Sequence, residues 1–220
     1  MRGLAFWEIL RVVTSIPDPG AQRVRTASVR DHLLLLSEFV RQPVHTGAVA
    51  PSSRWLAQRV VEEMGLEQAQ TVVELGPGTG AFTRLIAERA RPEALVLALE
   101  LNARLAAELI PRFRRVEIVN DSAERIREHL RARGRNHTDC VLSGIPFAAF
   151  SSELQCRLLD AVMNSLRPGG RFATFAYVNA AWLPAGRRFR RLLESRFSEV
   201  KATSIVWRNL PPAFVYRCEK

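Results

Sequence analysis

Lysine is almost missing from this chain: Lys201 and Lys220 are the only two, so nearly all of the positive charge is arginine. Cysteine is scarce as well. Cys140, Cys156 and Cys218 are odd in number and no pair has C-x-x-C spacing, so neither a disulfide framework nor a zinc site is expected, and no metal. Free thiols of this kind suit a reducing cytosol. Long apolar runs are lacking too. The longest uncharged stretch, Phe172 to Gly186, contains Asn179 and Pro184 and falls short of the roughly 20 apolar residues that a spanning helix needs. The N-terminal MRGLAFWEILRVVTS is apolar enough to suggest a signal peptide. Glu8 and Arg11 interrupt it and no small-residue cleavage site follows, so none is expected. Internal repeats and low-complexity tracts are absent.

What is present suits one domain of ordinary size with a short appendage. The 220 residues are 47% apolar and 25% charged, enough to bury a full core. The net charge is +10. A coding bias would explain the choice of arginine over lysine, but not the sign. A strongly basic protein attracts nucleic acid or an anionic membrane surface, and composition alone does not choose between them. Arginine's planar fork fits phosphate in a bidentate way.

Residues 1–16 read as a short amphipathic helix, broken by Pro17, Pro19 and Gly20. A second helix runs over about 29–41, with Val29, Leu33, Leu36 and Val40 on one stripe, and Pro43 ends it. Residues 45–53 are a loop, and Ser52 or Ser53 caps a helix that follows. From residue 71 strands alternate with helices. Strands are expected at 71–75, 94–100, 116–120, 140–143 and 171–177. Helices are expected from the glycine-rich turn to about 90, then at 102–112, 122–133, 151–166 and 187–197. RPGG at 167–170 is a turn. Two late strands, at about 199–207 and 213–219, are too close for a crossover helix and pair antiparallel. This pattern predicts an α/β, Rossmann-like fold: a seven-stranded, mostly parallel sheet covered on both faces, with a C-terminal antiparallel hairpin.

The strongest local signal is VVELGPGTGAFT at 72–83. A strand runs into Gly76, Gly78 and Gly80 and then into a helix, which allows a tight turn and close approach of a ligand to the backbone. Glu100 follows Gly80 by 20 residues, the spacing of a carboxylate that accepts from ribose hydroxyls. The same spacing fits NAD, but three features weigh against it. Glu74 precedes the glycines, where it suits a ligand ammonium and not a pyrophosphate. Asp121, at the end of the third strand, suits an adenine amino group. No G-x-x-G completes the dinucleotide fingerprint.

The stretch resembles motif I of the class I S-adenosylmethionine-dependent methyltransferases. That resemblance implies S-adenosylmethionine as cofactor, with Glu74, Gly76, Gly78 and Gly80 around its methionine part, Glu100 at the ribose, and Asp121 with Ser122 flanking the adenine. Thr79, Leu101 and Ser143 complete the expected cofactor set. The fourth strand ends in SGIPF at 143–147, where such enzymes place the acceptor. It resembles the N-[LI]-P-[YF] motif of ribosomal RNA adenine dimethyltransferases, but Gly144 stands in place of the Asn that orients the adenine amino group, and the C-terminal helical domain of those enzymes is missing.

VRQPVHTGAVAPSS (40–53), SGIPF, LRPGGRFATFAY (166–177) and VWRNLPPAFVYR (206–217) together resemble the short, soluble bacterial phospholipid N-methyltransferases, over roughly residues 29–219. This implies stepwise methylation of phosphatidylethanolamine toward phosphatidylcholine at a membrane surface; some relatives act on other amine-headed lipids, such as ornithine lipid. Residues 1–53 are then an amphipathic extension and lid, and 54–220 the methyltransferase domain. The expected partners are a phospholipid substrate and an anionic membrane surface on the cytoplasmic side, reached without a spanning segment, and not nucleic acid. His45 and Gly47 in the loop, and Arg187, Arg188 and Arg191, are candidate lipid-facing residues.

An ethanolamine amine is about as basic as lysine, so its proton must leave against roughly three pKa units near neutral pH, and desolvation favours the neutral form. Gly144 and Tyr177 are expected to hold this amine, Tyr177 to assist proton removal, and Phe147 to offer a π-face to the cationic head group. A non-enzymatic membrane-binding protein with this fold is the alternative of another class; the intact Glu74, glycine turn, Glu100 and Asp121 argue against it.

Overall fold

The structure, a computed structural model, describes residues 52–220. The helices expected over 1–16 and 29–41, and the loop with His45 and Gly47, lie outside the described residues.

The central strand β1 (Thr71–Leu75) is buried at all five positions, which is why it reads as a continuous β-branched run and not as an alternation. It pairs in parallel with β2 (Leu95–Leu99) on one side and β4 (Thr138–Ser143) on the other. β3 (Glu117–Val119) extends the sheet beyond β2, and β5 (Leu166–Tyr177) lies beyond β4. β7 (Ala213–Glu219) returns antiparallel against β5, and β6 (Glu199–Ala202) pairs antiparallel with β7 at the edge. The sheet order is therefore β3-β2-β1-β4-β5-β7-β6, the seven-stranded α/β arrangement expected from the strand–helix alternation.

One face packs on α1 (Arg54–Val61) and α2 (Ala81–Arg89). Leu56, Val60, Phe82 and Ile86 meet Val72, Leu142, Phe175 and Val215 there. The other face carries an aromatic stack. Phe147 lies flat on Phe189 of α7 (Pro184–Arg196), centroids 4.8 Å apart, and Phe172 on Phe197 at 5.6 Å. α3 (Ala103–Leu109), α4 (Ile126–Arg131), α5 (Ser152–Ser165) and the short α6 (Val178–Ala181) complete the described layers. Helix starts follow their capping residues. Ser53 accepts from the Leu56 N–H, Asn102 from Arg104 and Leu105, and Ser151 from Leu154.

Three of the boundaries that differ from expectation have a local physical cause. β6 ends at Ala202, not near 207, because the Thr203 hydroxyl captures the Val215 N–H at 3.1 Å in place of a backbone carbonyl; only an isolated bridge, Val206 to Ala213, follows. α7 starts at Pro184, earlier than the 187 expected, because proline suits the first helical position. The RPGG turn joins β5 as an irregularity, with Gly169 N–H donating to the Lys220 carbonyl.

Asp139 ties three of these pieces together. Its carboxylate accepts from the Gln70 and Thr71 amides and, at 2.6 Å, from Arg167. Burial works to raise its pKa, but Arg167 and the two amides outweigh it and hold the group below the ordinary range. A depressed acid contributes stability that is present near neutral pH and lost as the pH falls through the folded-state value. Asp139→Asn should therefore cost about 1–3 kcal/mol at neutral pH, with the gap closing in acid, as read by urea unfolding.

Candidate active site

The strand order reverses at β1, between β2 and β4. In an open parallel sheet the ligand crevice lies at the carboxyl ends of the strands at such a point, and this is where the expected site residues gather. Glu74 lies one residue from the end of β1, fully buried. Neither carboxylate oxygen has a hydrogen-bond partner, nor does the buried Thr83 hydroxyl in the first turn of α2. Burial pushes the Glu74 pKa up to about 8; Thr83 is near enough to oppose the shift, though without hydrogen-bond geometry, and the Glu100 charge adds to it. The carboxylate wants a cation or donor that the described residues do not supply.

After Glu74 the chain turns through Gly76, Pro77 and Gly78 to Gly80. Gly78 has φ +57°, and a Cβ there would meet nothing closer than the Gly76 carbonyl at 3.9 Å. The turn is thus strained for any side chain yet open on that side, as a cradle for a ligand requires. Thr79 is exposed at its tip.

Glu100, just beyond β2, fastens this turn: Oε2 accepts from Gly78 N–H at 3.0 Å and Oε1 from Asn102 N–H at 2.9 Å. Asn120, not among the expected residues, donates from its side-chain amide to the carbonyls of Glu100 and Leu101. It thereby sets the spacing of the β2 and β3 ends. The only sequence signal for it was an amide at a strand end beside an acid.

Asp121 follows. It accepts from Ser122 N–H and Arg125, and pairs with His129 Nε2 at 2.7 Å. Burial tends to raise its pKa, but His129, the Ser122 amide and Arg125 together hold it low, so it is an ionised acceptor. Ser122 caps the single turn before α4, its hydroxyl accepting from Glu124.

The acceptor side departs from expectation in part. Ser143 is fully buried and its hydroxyl accepts from the Ile145 N–H, so it shapes the turn after β4. Phe147 is 1% exposed, flat on Phe189 with its edge near Phe172. Its faces belong to the core, and it cannot present a π-face to a head group. Tyr177, at the end of β5, packs near Phe175 on the same face of the sheet as Glu74. Burial pushes its phenol up to about 12, which suits it to hold a hydrogen bond and not to take up a proton. Arg187, Arg188 and Arg191 are exposed on α7. No cluster of potential metal ligands occurs among the described residues.

Three comparisons bear on this geometry. Over 195 residues the chain is 34% identical to an ornithine lipid N-methyltransferase of Singulisphaera acidiphila, spanning 86% of this chain and 96% of that protein. The chain belongs to the class I S-adenosylmethionine-dependent methyltransferases. Solved structures agree on the fold. The O-methyltransferase TomG of Streptomyces achromogenes, in complex with S-adenosylmethionine, superposes with a TM-score of 0.59 at 20% identity, covering 84% of this chain and 89% of its own. An O-methyltransferase of Bacillus cereus gives 0.58 at 17%, covering 97% and 96%. The ribosomal RNA adenine dimethylase family matches residues 52–131. A ribosomal RNA small subunit methyltransferase A of Acidobacterium capsulatum is 48% identical over 60 residues, 27% of this chain and 20% of that protein.

S-adenosylmethionine is the methyl donor of this class, and the orphaned Glu74 carboxylate and the open cradle at Gly78 fit that molecule. Glu74 is the candidate partner of its ammonium, Glu100 of its ribose, and Asp121 with Ser122 of its adenine. A ligand ammonium demands an ionised Glu74, so binding should expel a proton below pH 8. Affinity should rise with pH, by at most about tenfold per unit, and level off above about 8. Glu74→Gln should bind more weakly and without this slope, by calorimetry across about pH 6 to 9. Without cofactor the sign reverses. Wild-type stability should fall as pH rises from the unfolded-state value toward about 8, and Glu74→Gln should remove that loss.

Proposed function

We propose that this methyltransferase methylates the amine head group of a membrane lipid, with ornithine lipid and phosphatidylethanolamine as the two acceptors to compare. The observation that carries this reading is the contact between Gly144 and Gly76. A Cβ at position 144 would lie 2.4 Å from the Gly76 carbonyl oxygen, a backbone atom of the cofactor turn. The asparagine that the RNA adenine enzymes carry at this point does not fit without moving that turn. An adenine amino group is a poor nucleophile and needs that amide; an aliphatic amine, once deprotonated, does not. The comparisons support the same division. The RNA adenine family match ends at Arg131, before β4 and the acceptor turn, while the match to the ornithine lipid enzyme runs almost the full length of that protein.

When bound, S-adenosylmethionine supplies the methyl group from its sulfonium. The protein's part is alignment and desolvation. In this reading the Gly144 carbonyl region and the Tyr177 hydroxyl hold the acceptor nitrogen, and the apolar wall of Phe175 disfavours its ammonium form. The proton leaves to solvent before the lone pair attacks. Among the described residues no helix is long and apolar enough to cross a membrane. This reading has the methyltransferase meet its substrate at the cytoplasmic face of the bilayer.

Incubation with labelled S-adenosylmethionine and vesicles containing ornithine lipid or phosphatidylethanolamine should place label in the amine lipid. Label in RNA and none in either lipid would sink the proposal. Tyr177→Phe should lower turnover by roughly tenfold, the worth of one hydrogen bond, with cofactor affinity unchanged in calorimetry.

A further inference from the structure

Two segments leave the carboxyl end of the sheet beside the candidate site. One is Trp182–Leu183, after β5 and α6. The other is the 203–212 loop before β7, held to the first by the Val178 N–H donating to the Pro212 carbonyl. Both expose large apolar side chains that a soluble face would hide: Trp182 and Trp207 are each 71% exposed, Leu210 74%, and Leu183 and Ile205 are exposed too. Arg208 lies over the Trp55 ring at 4.8 Å and Arg54 over the same ring at 4.5 Å, joining the start of α1 to this surface.

Along the two segments themselves the charge has one sign, with Glu153 at the start of α5 within electrostatic reach of Arg188. Arg187, Arg188 and Arg191 follow Trp182 on the exposed side of α7, and Arg208 follows Trp207. Neither Asp nor Glu occurs between Phe172 and Leu193, or between Ala202 and Cys218. Tryptophan with its apolar body and polar tip favours the boundary between acyl chains and head groups, and arginine beside it favours anionic head groups.

We infer that Trp182, Leu183, Ile205, Trp207 and Leu210, ringed by Arg187, Arg188 and Arg208, form an interfacial docking surface that seats the carboxyl end of the sheet on an anionic lipid bilayer. The inference deepens the lipid-amine reading and rests on it for purpose, because docking there brings the mouth of the site to the head-group layer. The surface needs no acceptor amine to bind.

The test is co-sedimentation of the full chain with vesicles of phosphatidylglycerol and phosphatidylcholine, which contain no amine acceptor. Failure of the methylation assay would therefore leave this result readable, and the reverse. The wild-type protein should sediment with these vesicles. The triple variant Trp182→Ser, Trp207→Ser, Leu210→Ser should lose at least about tenfold in partitioning, with unchanged affinity for S-adenosylmethionine. Arg187→Gln with Arg188→Gln should weaken binding to anionic vesicles and not to phosphatidylcholine alone. A wild-type protein that stays in solution would overturn the inference, as would a triple variant that binds as well as wild type. So would a dimer that the triple variant breaks while vesicle binding persists, since the surface would then be an interface between copies. If the triple variant does not fold, quenching of Trp207 by brominated lipids, in a chain carrying Trp7→Phe, Trp55→Phe and Trp182→Phe, decides the matter: quenching supports the surface, and its absence overturns it.

Discussion

Glu74 sits in the central strand, at the point where the parallel sheet divides, with both carboxylate oxygens shut away from solvent and from any protein donor among the described residues. Such burial is costly unless a partner arrives or the group stays protonated. The elements around it are arranged so that a partner can arrive. The glycine turn leaves open space at Gly78, Glu100 holds that turn through the Gly78 amide, and Asn120 holds the strand end that carries Glu100. The stiffness of the cradle thus comes in part from Asn120, which does not itself need to touch the ligand.

The sheet also divides the labour. β1 to β3 and their turns make the cofactor half, and this is the part that is similar to the ribosomal RNA adenine dimethylase family. β4, β5 and the antiparallel end carry the candidate acceptor residues, and the match to the ornithine lipid enzyme, over 86% of this chain, continues beyond β3. The two halves meet where Gly144 packs against Gly76. A residue that reads as a small departure from one family's motif is set by the backbone it must pass.

The strands were legible because a parallel sheet buried on both faces demands unbroken apolar runs, and TVVEL, ALVLALE and CVLS are such runs. The glycine turn and Glu100 were legible because their spacing is fixed by the strand–turn–helix path. Other features depend on contacts that a linear pattern does not carry. Phe147 was read from its motif as facing the acceptor, but the single turn over Phe147–Ala149 rotates it into the stack with Phe189, 42 residues away in the chain. Ser143 was read as facing the cofactor, and its hydroxyl is used by the turn two residues on. The end of β6 depended on one hydroxyl, that of Thr203. Asp121 was read correctly as an acidic strand end, but its clamps, Arg125 and His129, follow from helical spacing that was not used.

The Phe147–Phe189 stack has a mechanical consequence. Phe189 belongs to the same helix as the exposed arginines, and Phe147 follows Gly144 by three residues. Any tilt of α7 is therefore felt at the acceptor turn through rigid rings, without a hinge between them. A substitution on this outer helix can therefore act on the acceptor turn as a lever acts, by position and not by contact.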